Sequence, residues 1–163
     1  MIRFRVVVSV IGIIIQGFSA VMIIPLLSAI LSGQQDSAAA FVLCMLTGIL
    51  LGRLAWRTNQ EKNFDDLGRM EGMAAVSLSW FSVALVGTIP YLCFGMGFSD
   101  SLFESMSGFT TTGATVHLDF SLLNSSMFFY RGYTQWLGGM GILVLFVAVL
   151  PHLAISGRQL FFA

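Results

Sequence analysis

The sequence predicts an all-α integral membrane protein. Hydrophobic residues make up 56% of its 163 residues and charged residues only 10%, whereas soluble domains carry about 25% charged residues. The apolar residues fall into four stretches, each close to the ~20 residues that a helix needs to cross the hydrocarbon core. The formal net charge is zero, so no basic face for nucleic acid is indicated.

The first two stretches predict an N-terminal pair of transmembrane helices within residues 1–71. The first, residues 6–30, is longer than the 7–15-residue apolar core typical of a signal peptide. We therefore expect a retained helix, with a cleaved leader as the alternative. The second stretch covers residues 38–56. The charged connection after it, which includes Asp65, Asp66 and Glu71, is expected to be solvated, with docking to a regulatory partner as the alternative.

The remaining two stretches lie in a second unit, residues 72–163. An outer helix is predicted over residues 73–94 and an inner helix over residues 127–150, ending at Pro151. Basic residues precede the first stretch, separate the second from the third, and follow the fourth: Arg3, Arg5, Arg53, Arg57, Lys62, Arg69 and Arg158. The positive-inside rule then places these regions and both ends of the chain in the cytoplasm.

Between these two helices lies a hydroxyl-rich segment, FESMSGFTTTGATVH. Ser101 and Glu104 have the spacing of a capping box, which predicts a short helix over residues 99–109. At about 1.5 Å per residue this helix cannot cross the bilayer, so we expect it to enter and return. Residues 110–115, called the threonine loop below, would then lie at membrane depth, where they must be buried in protein or line a water-filled cavity.

The threonine loop has the chemistry of a cation site. Backbone carbonyls can replace the hydration shell of a permeating ion, and successive carbonyls face one axis only if the backbone conformation alternates. Gly113 permits the positive φ that such alternation requires. The residues by themselves also fit an ordinary external loop. No group of residues has the spacing of a metal site or of a nucleophile with its base, so neither an enzyme nor a bound cofactor is indicated.

The segments FESMSGFTTTGATV and RGYTQWLGGMGILVLFVAVLP, in this order and spacing, resemble the first pore repeat of the Trk/Ktr/HKT superfamily of potassium transporters. The match runs from residue 72 to about residue 158. The helix pair before it resembles the additional N-terminal pair of the Trk branch, which identifies a TrkH-like subunit. The resemblance implies a helix, pore helix, filter loop and helix that form one part of a potassium-channel-like pseudo-tetramer.

This resemblance also implies roles for the threonine loop. Potassium would be the transported ion rather than a cofactor, bound by four filter carbonyls: those of Thr111, Thr112, Gly113 and Ala114. Thr110 would lead into the filter and Thr115 would close it at the outer mouth. The alternative is a structural or assembly membrane protein without its own ion path.

The resemblance further implies partners that these residues do not contain. A complete subunit of the superfamily carries four repeats in one polypeptide, so we expect an N-terminal fragment that supplies a quarter of the filter, with assembly of four copies as the alternative. It also implies a homodimer, a cytoplasmic nucleotide-binding regulatory subunit, and the bacterial inner membrane. Proton or sodium coupling and channel-like permeation both remain open.

Two further groups of residues are candidates for supporting roles. Glu104 and Arg131 are rare charges near the outer membrane level, and we expect them to pair and brace the pore helix against the inner helix. The alternative is that Arg131 extends alone to the interface. Gly138, Gly139 and Gly141 are expected to allow close helix packing or to act as a hinge.

Overall fold

The computed structural model describes residues 3–58, 69–116 and 123–161, and the described residues form an all-α membrane fold. Its helices are α1 (Phe4–Val21), α2 (Ile23–Leu31), α3 (Gln35–Thr58), α4 (Arg69–Gly87), α5 (Ile89–Cys93), α6 (Phe98–Phe109) and α7 (Ser125–Phe161). Among the described residues, three segments are long and apolar enough to cross a membrane: residues 4–31, 35–57 and 70–93. The first combines α1 with α2, and the third combines α4 with α5.

Proline causes the break within each of these two combined segments. A proline has no N–H, so it leaves the carbonyl four residues earlier without its helical partner. Pro25 frees the carbonyl of Val21, and the Tyr133 hydroxyl donates to that oxygen at 3.0 Å. Pro90 frees the carbonyl of Val86, which accepts the Cys44 thiol at 3.4 Å. Both freed carbonyls are thus satisfied by another helix, as a membrane interior demands.

Helix α7 does not end at Pro151, which corrects the predicted inner-helix boundary. Its backbone remains helical to Phe161, over 37 residues. At 1.5 Å per residue it is about 55 Å long, which exceeds the roughly 30 Å hydrocarbon core.

The N-terminal pair packs into the same core as the second unit. Helices α1 and α3 approach closely at Gly12 and Gly52, where a Cβ on Gly52 would lie 2.7 Å from the Gly12 carbonyl oxygen. On the other side of α1, the ring of Phe18 meets the ring of Phe109 edge-on, with centroids 5.3 Å apart. The N-terminal pair therefore supports the carboxyl end of α6 directly.

A second link joins the start of α1 to the start of α4. The backbone N–H of Arg3 donates to Glu71 Oε1 at 2.8 Å, and its guanidinium donates to both carboxylate oxygens at 3.0–3.1 Å. Glu71 is only 5% exposed. The expectation that Glu71 lies in a solvated connection is therefore wrong, because the carboxylate is paired within the fold, whereas residues 59–68 of that connection lie outside the described residues.

The surface of the helices is apolar, as expected where lipid replaces water as the surrounding medium. Large hydrophobic side chains with more than half of their surface exposed occur on several helices, among them Leu31, Leu46, Leu50 and Leu143. The Cys93 thiol is also exposed, whereas the Cys44 thiol is buried.

Candidate functional site

Hydroxyl groups join helix α4 to both α6 and α7. Ser105 Oγ donates to the Ala84 carbonyl of α4 at 2.7 Å, and Tyr130 of α7 donates to the neighbouring Gly87 carbonyl at 2.8 Å. A Cβ at Gly87 would lie 2.8 Å from Ser105 Oγ, so this glycine permits the close approach of α4 and α6. With 12 residues, α6 is about 18 Å long and cannot span a bilayer.

The capping-box prediction is wrong in its details. Helix α6 begins after Gly97, which makes no side-chain capping bond. Ser101 lies a full turn inside the helix and is buried, as is Glu104. Sequence spacing found the helix to within one residue, but the Glu104 carboxylate is directed to the far end of the threonine loop and not to the helix start.

The threonine loop closes back on α6 through its own backbone. The N–H groups of Thr110, Thr111 and Thr112 donate to the carbonyls of residues 106, 108 and 107 at 2.9–3.0 Å. These bonds satisfy carbonyls that the end of a helix leaves without partners. The first half of the loop is therefore fixed in direction by the helix that precedes it.

The loop backbone alternates in handedness. Thr111 has φ +56° and Gly113 has φ +74°, whereas Thr112 and Ala114 have no positive φ. A left-handed conformation costs a β-branched residue about 1–3 kcal/mol, so the conformation of Thr111 has to be maintained by its surroundings. Sequence reasoning anticipated a positive φ at Gly113 and missed the one at Thr111.

The carbonyls of the loop divide into free and bound ones. In the described part of the chain, no hydrogen bond reaches the carbonyl oxygens of Thr111 or Thr112, and both residues are exposed. The carbonyl of Ala114 accepts Ser107 Oγ at 2.6 Å and Arg131 Nη2 at 3.1 Å. These two donors occupy both of its lone pairs, so the geometry does not fit the expectation that Ala114 supplies a carbonyl to a cation.

Glu104 and Arg131 are brought together behind the loop. Arg131 Nε donates to Glu104 Oε2 at 2.9 Å, with Arg131 13% and Glu104 0% exposed as side chains. Arg131 Nη2 also lies 3.3 Å from the Gly113 carbonyl oxygen. Arg131 therefore points into the protein and does not extend alone to the interface.

The Glu104 carboxylate also binds the outer end of the loop. It accepts the Val116 N–H at 2.8 Å and the hydroxyl of Thr115. Burial acts to raise the pKa of this carboxyl, but the hydrogen bonds from Thr115, Arg131 and Val116, together with the Arg131 charge, lower it below its ordinary value. Glu104 therefore holds the outer end of the loop through Thr115 and the adjacent Val116, and it holds α7 through Arg131.

Three glycines of α7 lie close to the end of α6, the threonine loop and α4. A Cβ on Gly138 would lie 2.3 Å from the Phe109 carbonyl oxygen, and one on Gly141 would lie 3.1 Å from the Trp80 ring. A Cβ on Gly139 would be in ordinary contact with Thr111, at 3.6 Å. The geometry at Gly138 and Gly141 is that of close helix packing.

These features define a class: an all-α membrane protein in which a short, non-spanning helix ends in a hydroxyl-rich loop braced by a buried ion pair. The model of the TrkH family, described as "Cation transport protein", matches residues 36–161. The chain belongs to the TrkH family.

Several relatives are similar along nearly the whole chain. It is 36% identical over 162 residues to the Trk system potassium uptake protein TrkH of Escherichia coli K12, covering 98% of this chain and 33% of that protein. It is 32% identical over 160 residues to the Trk system potassium uptake protein TrkG of the same strain, covering 96% and 33%. The crystal structure of the potassium transporter TrkH from Vibrio parahaemolyticus superimposes with a TM-score of 0.85 at 31% identity, covering 99% and 36%. The chain therefore spans about a third of the length of these relatives.

Proposed function

We propose that this chain forms one wall of a potassium path in a Trk-type uptake system. The observation that carries the proposal is the alternating backbone of the threonine loop, with positive φ at Thr111 and Gly113. Alternation turns successive carbonyls toward one side, which is the arrangement that replaces the hydration shell of a cation. The relatives named for potassium uptake support the choice of ion.

The cation ligands in this proposal are the carbonyls of Thr111, Thr112 and Gly113. The first two accept no hydrogen bond within the described chain, and the third keeps one lone pair beside its contact with Arg131. The carbonyl of Ala114 instead anchors the loop to α6 and α7. Thr110 and Thr115 flank the ligands, with Thr110 at the helix end and Thr115 bound to Glu104.

The ion pair of Glu104 and Arg131 serves as the brace of this wall. Arg131 holds the outer half of the loop through two carbonyls, and its positive charge there would repel a permeating cation. Glu104 compensates that charge at 2.9 Å, so that the arginine acts as a hydrogen-bond donor without a net local charge. The pair thus joins α6, the loop and α7 at little electrostatic cost to the ion.

One loop supplies a quarter of a ring of carbonyls, so three further walls complete the path. We propose that they come from equivalent repeats of the same protein and that the assembled protein is a transporter and not an enzyme. A homodimer and a cytoplasmic nucleotide-binding regulatory subunit belong to this proposal through the Trk family. So do the bacterial inner membrane and cytoplasmic ends of the chain, for which the positions of the basic residues provide the argument.

Growth at limiting potassium tests this function. A host without its own potassium uptake should grow in low-potassium medium when it produces the protein, and rubidium tracer should enter the cells. Sodium should compete poorly with rubidium. Growth and tracer entry no better than in the host with an empty vector would overturn the proposal.

A further inference from the structure

The carboxyl end of α6 needs one hydrogen bond that the threonine loop does not provide. The last four carbonyls of a helix have no partner within it. Those of residues 106–108 accept the N–H groups of residues 110–112. The carbonyl of Phe109, the last residue of the helix, receives no N–H group from the described residues of the loop.

Trp80 of α4 satisfies this remaining carbonyl. Its indole Nε1 donates to the Phe109 oxygen at 2.8 Å. Indole is a donor only, so the direction of the bond is unambiguous. The ring is half-buried and packs against the core that contains Phe109. The end of α6 is therefore capped by a side chain from a different membrane helix.

Helix α7 is shaped to leave room for this bond. A Cβ on Gly138 would lie 2.3 Å from the Phe109 oxygen and 2.7 Å from its carbonyl carbon. A Cβ on Gly141, one turn further along, would lie 3.1 Å from two atoms of the Trp80 ring. Three helices thus meet around a single carbonyl at the point where helix gives way to loop.

We propose that Trp80 is a positioning residue for the cation path. By binding the Phe109 carbonyl, the indole keeps the last helical oxygen away from the path, so that the ligating carbonyls begin within the threonine loop. It also fixes the helix end from which Thr111 turns into its left-handed conformation. This inference rests on the proposed function, because it assigns Trp80 a role in how that path selects its ion.

Loss of the indole N–H should change selectivity more than stability. An unpartnered carbonyl would turn toward the nearest water or cation, add a ligand at the inner end of the loop, and loosen the turn at Thr111. The potassium-over-sodium preference should fall by about two- to twelvefold, which is the contribution of one neutral hydrogen bond converted to a ratio. A purely structural tryptophan would change the melting temperature and leave this ratio unaltered.

The test is Trp80→Phe, which keeps an aromatic ring and removes the donor, in the protein as its host produces it. Rubidium uptake with sodium and potassium as competitors gives the selectivity ratio. Trp136→Phe is the matched control, because Trp136 is 60% exposed and stacks only on Tyr133 among the described rings. A reduced ratio in Trp80→Phe alone supports the inference, and an unchanged ratio with intact uptake overturns it.

A second variant keeps the test decisive if Trp80→Phe does not fold. Gly141→Ala keeps Trp80 and places a methyl of α7 against its ring. The control Gly132→Ala adds a methyl on the same helix, where nothing lies within 4 Å. The selectivity ratio should fall in Gly141→Ala and not in Gly132→Ala, and equal ratios would overturn the inference. Absence of potassium uptake in the unaltered protein would instead overturn the proposed function.

Discussion

Gly113 offers the sharpest separation between folding and ion binding, because the chain contains a matched control. Gly113 and Gly33 both have left-handed backbones, at φ +74° and +68°, and a Cβ on either would meet nothing within 4 Å. Alanine at each position therefore suffers the same conformational penalty and no clash. Gly33 lies in the turn between α2 and α3, outside the threonine loop.

The magnitude follows from the backbone alone. A left-handed conformation costs an L-residue about 1–2 kcal/mol, so both variants should lower the free energy of unfolding by that amount. In Gly113→Ala the loop can relieve this conformational penalty by returning to a right-handed φ. That change would rotate the neighbouring carbonyls away from the ion, so potassium uptake should fall by at least about tenfold, the equivalent of 1.4 kcal/mol.

The assay pairs two measurements on each variant. Thermal unfolding of detergent-solubilised protein measures stability, and rubidium uptake in potassium-starved cells measures transport. We expect similar melting temperatures for Gly113→Ala and Gly33→Ala, with uptake lost only in the first. Equal uptake by the two variants would show that the backbone conformation of the loop does not affect ion binding, contrary to this prediction.

Three other perturbations have expected outcomes. Gly138→Ala places a methyl against the Phe109 carbonyl and should lower the free energy of unfolding by about 3 kcal/mol. The control Gly132→Ala should change the free energy of unfolding by less than about 0.5 kcal/mol. Equal melting temperatures for the two variants would contradict this prediction. Glu104→Gln removes the negative charge beside Arg131 and should reduce both stability and uptake. Because the folded carboxyl has a lowered pKa, its stabilisation is present above the ordinary carboxyl pKa and is lost as pH falls through the folded pKa. The free energy of unfolding should therefore fall less with acid in this variant than in the unaltered protein. Glu71→Gln should cost about 0.5–1 kcal/mol, because its arginine partner is partly exposed, and an unchanged unfolding curve at low salt would contradict this.

The fold class could be predicted from the sequence because lipid imposes a simple rule. A helix that crosses a bilayer needs a long apolar run, and such runs are visible without any knowledge of contacts. The end of α7 could not be predicted in this way. A proline normally favours a helix end, yet the backbone of α7 continues through Pro151.

Tertiary partners account for what the sequence did not reveal. The sequence around Glu71 predicts a charged connection, but Glu71 pairs with Arg3, 68 positions away. Nothing in the local sequence pattern indicates this pairing. The left-handed φ of Thr111 is equally hidden, because a β-branched residue is among the least expected there. The motif resemblance to the Trk/Ktr/HKT superfamily was confirmed by the match to the TrkH family.

The Glu104 and Arg131 pair illustrates an intermediate case. Two isolated charges in an apolar setting predict a partner, and the structure has them 2.9 Å apart. Their contacts with the threonine loop, through Thr115, Val116 and the carbonyl of Ala114, depend on how the loop folds back. Sequence reasoning could therefore identify the pair but not what it holds.

The position of a bound cation tests most directly whether the threonine loop lines the ion path. A structure of the assembled protein in thallium, which replaces potassium and scatters strongly, would locate ions by their anomalous signal. Thallium should lie next to the carbonyl oxygens of Thr111 and Thr112, on the side away from Arg131. Ions in the membrane path that avoid these two carbonyls, or no ion at the threonine loop, would contradict it.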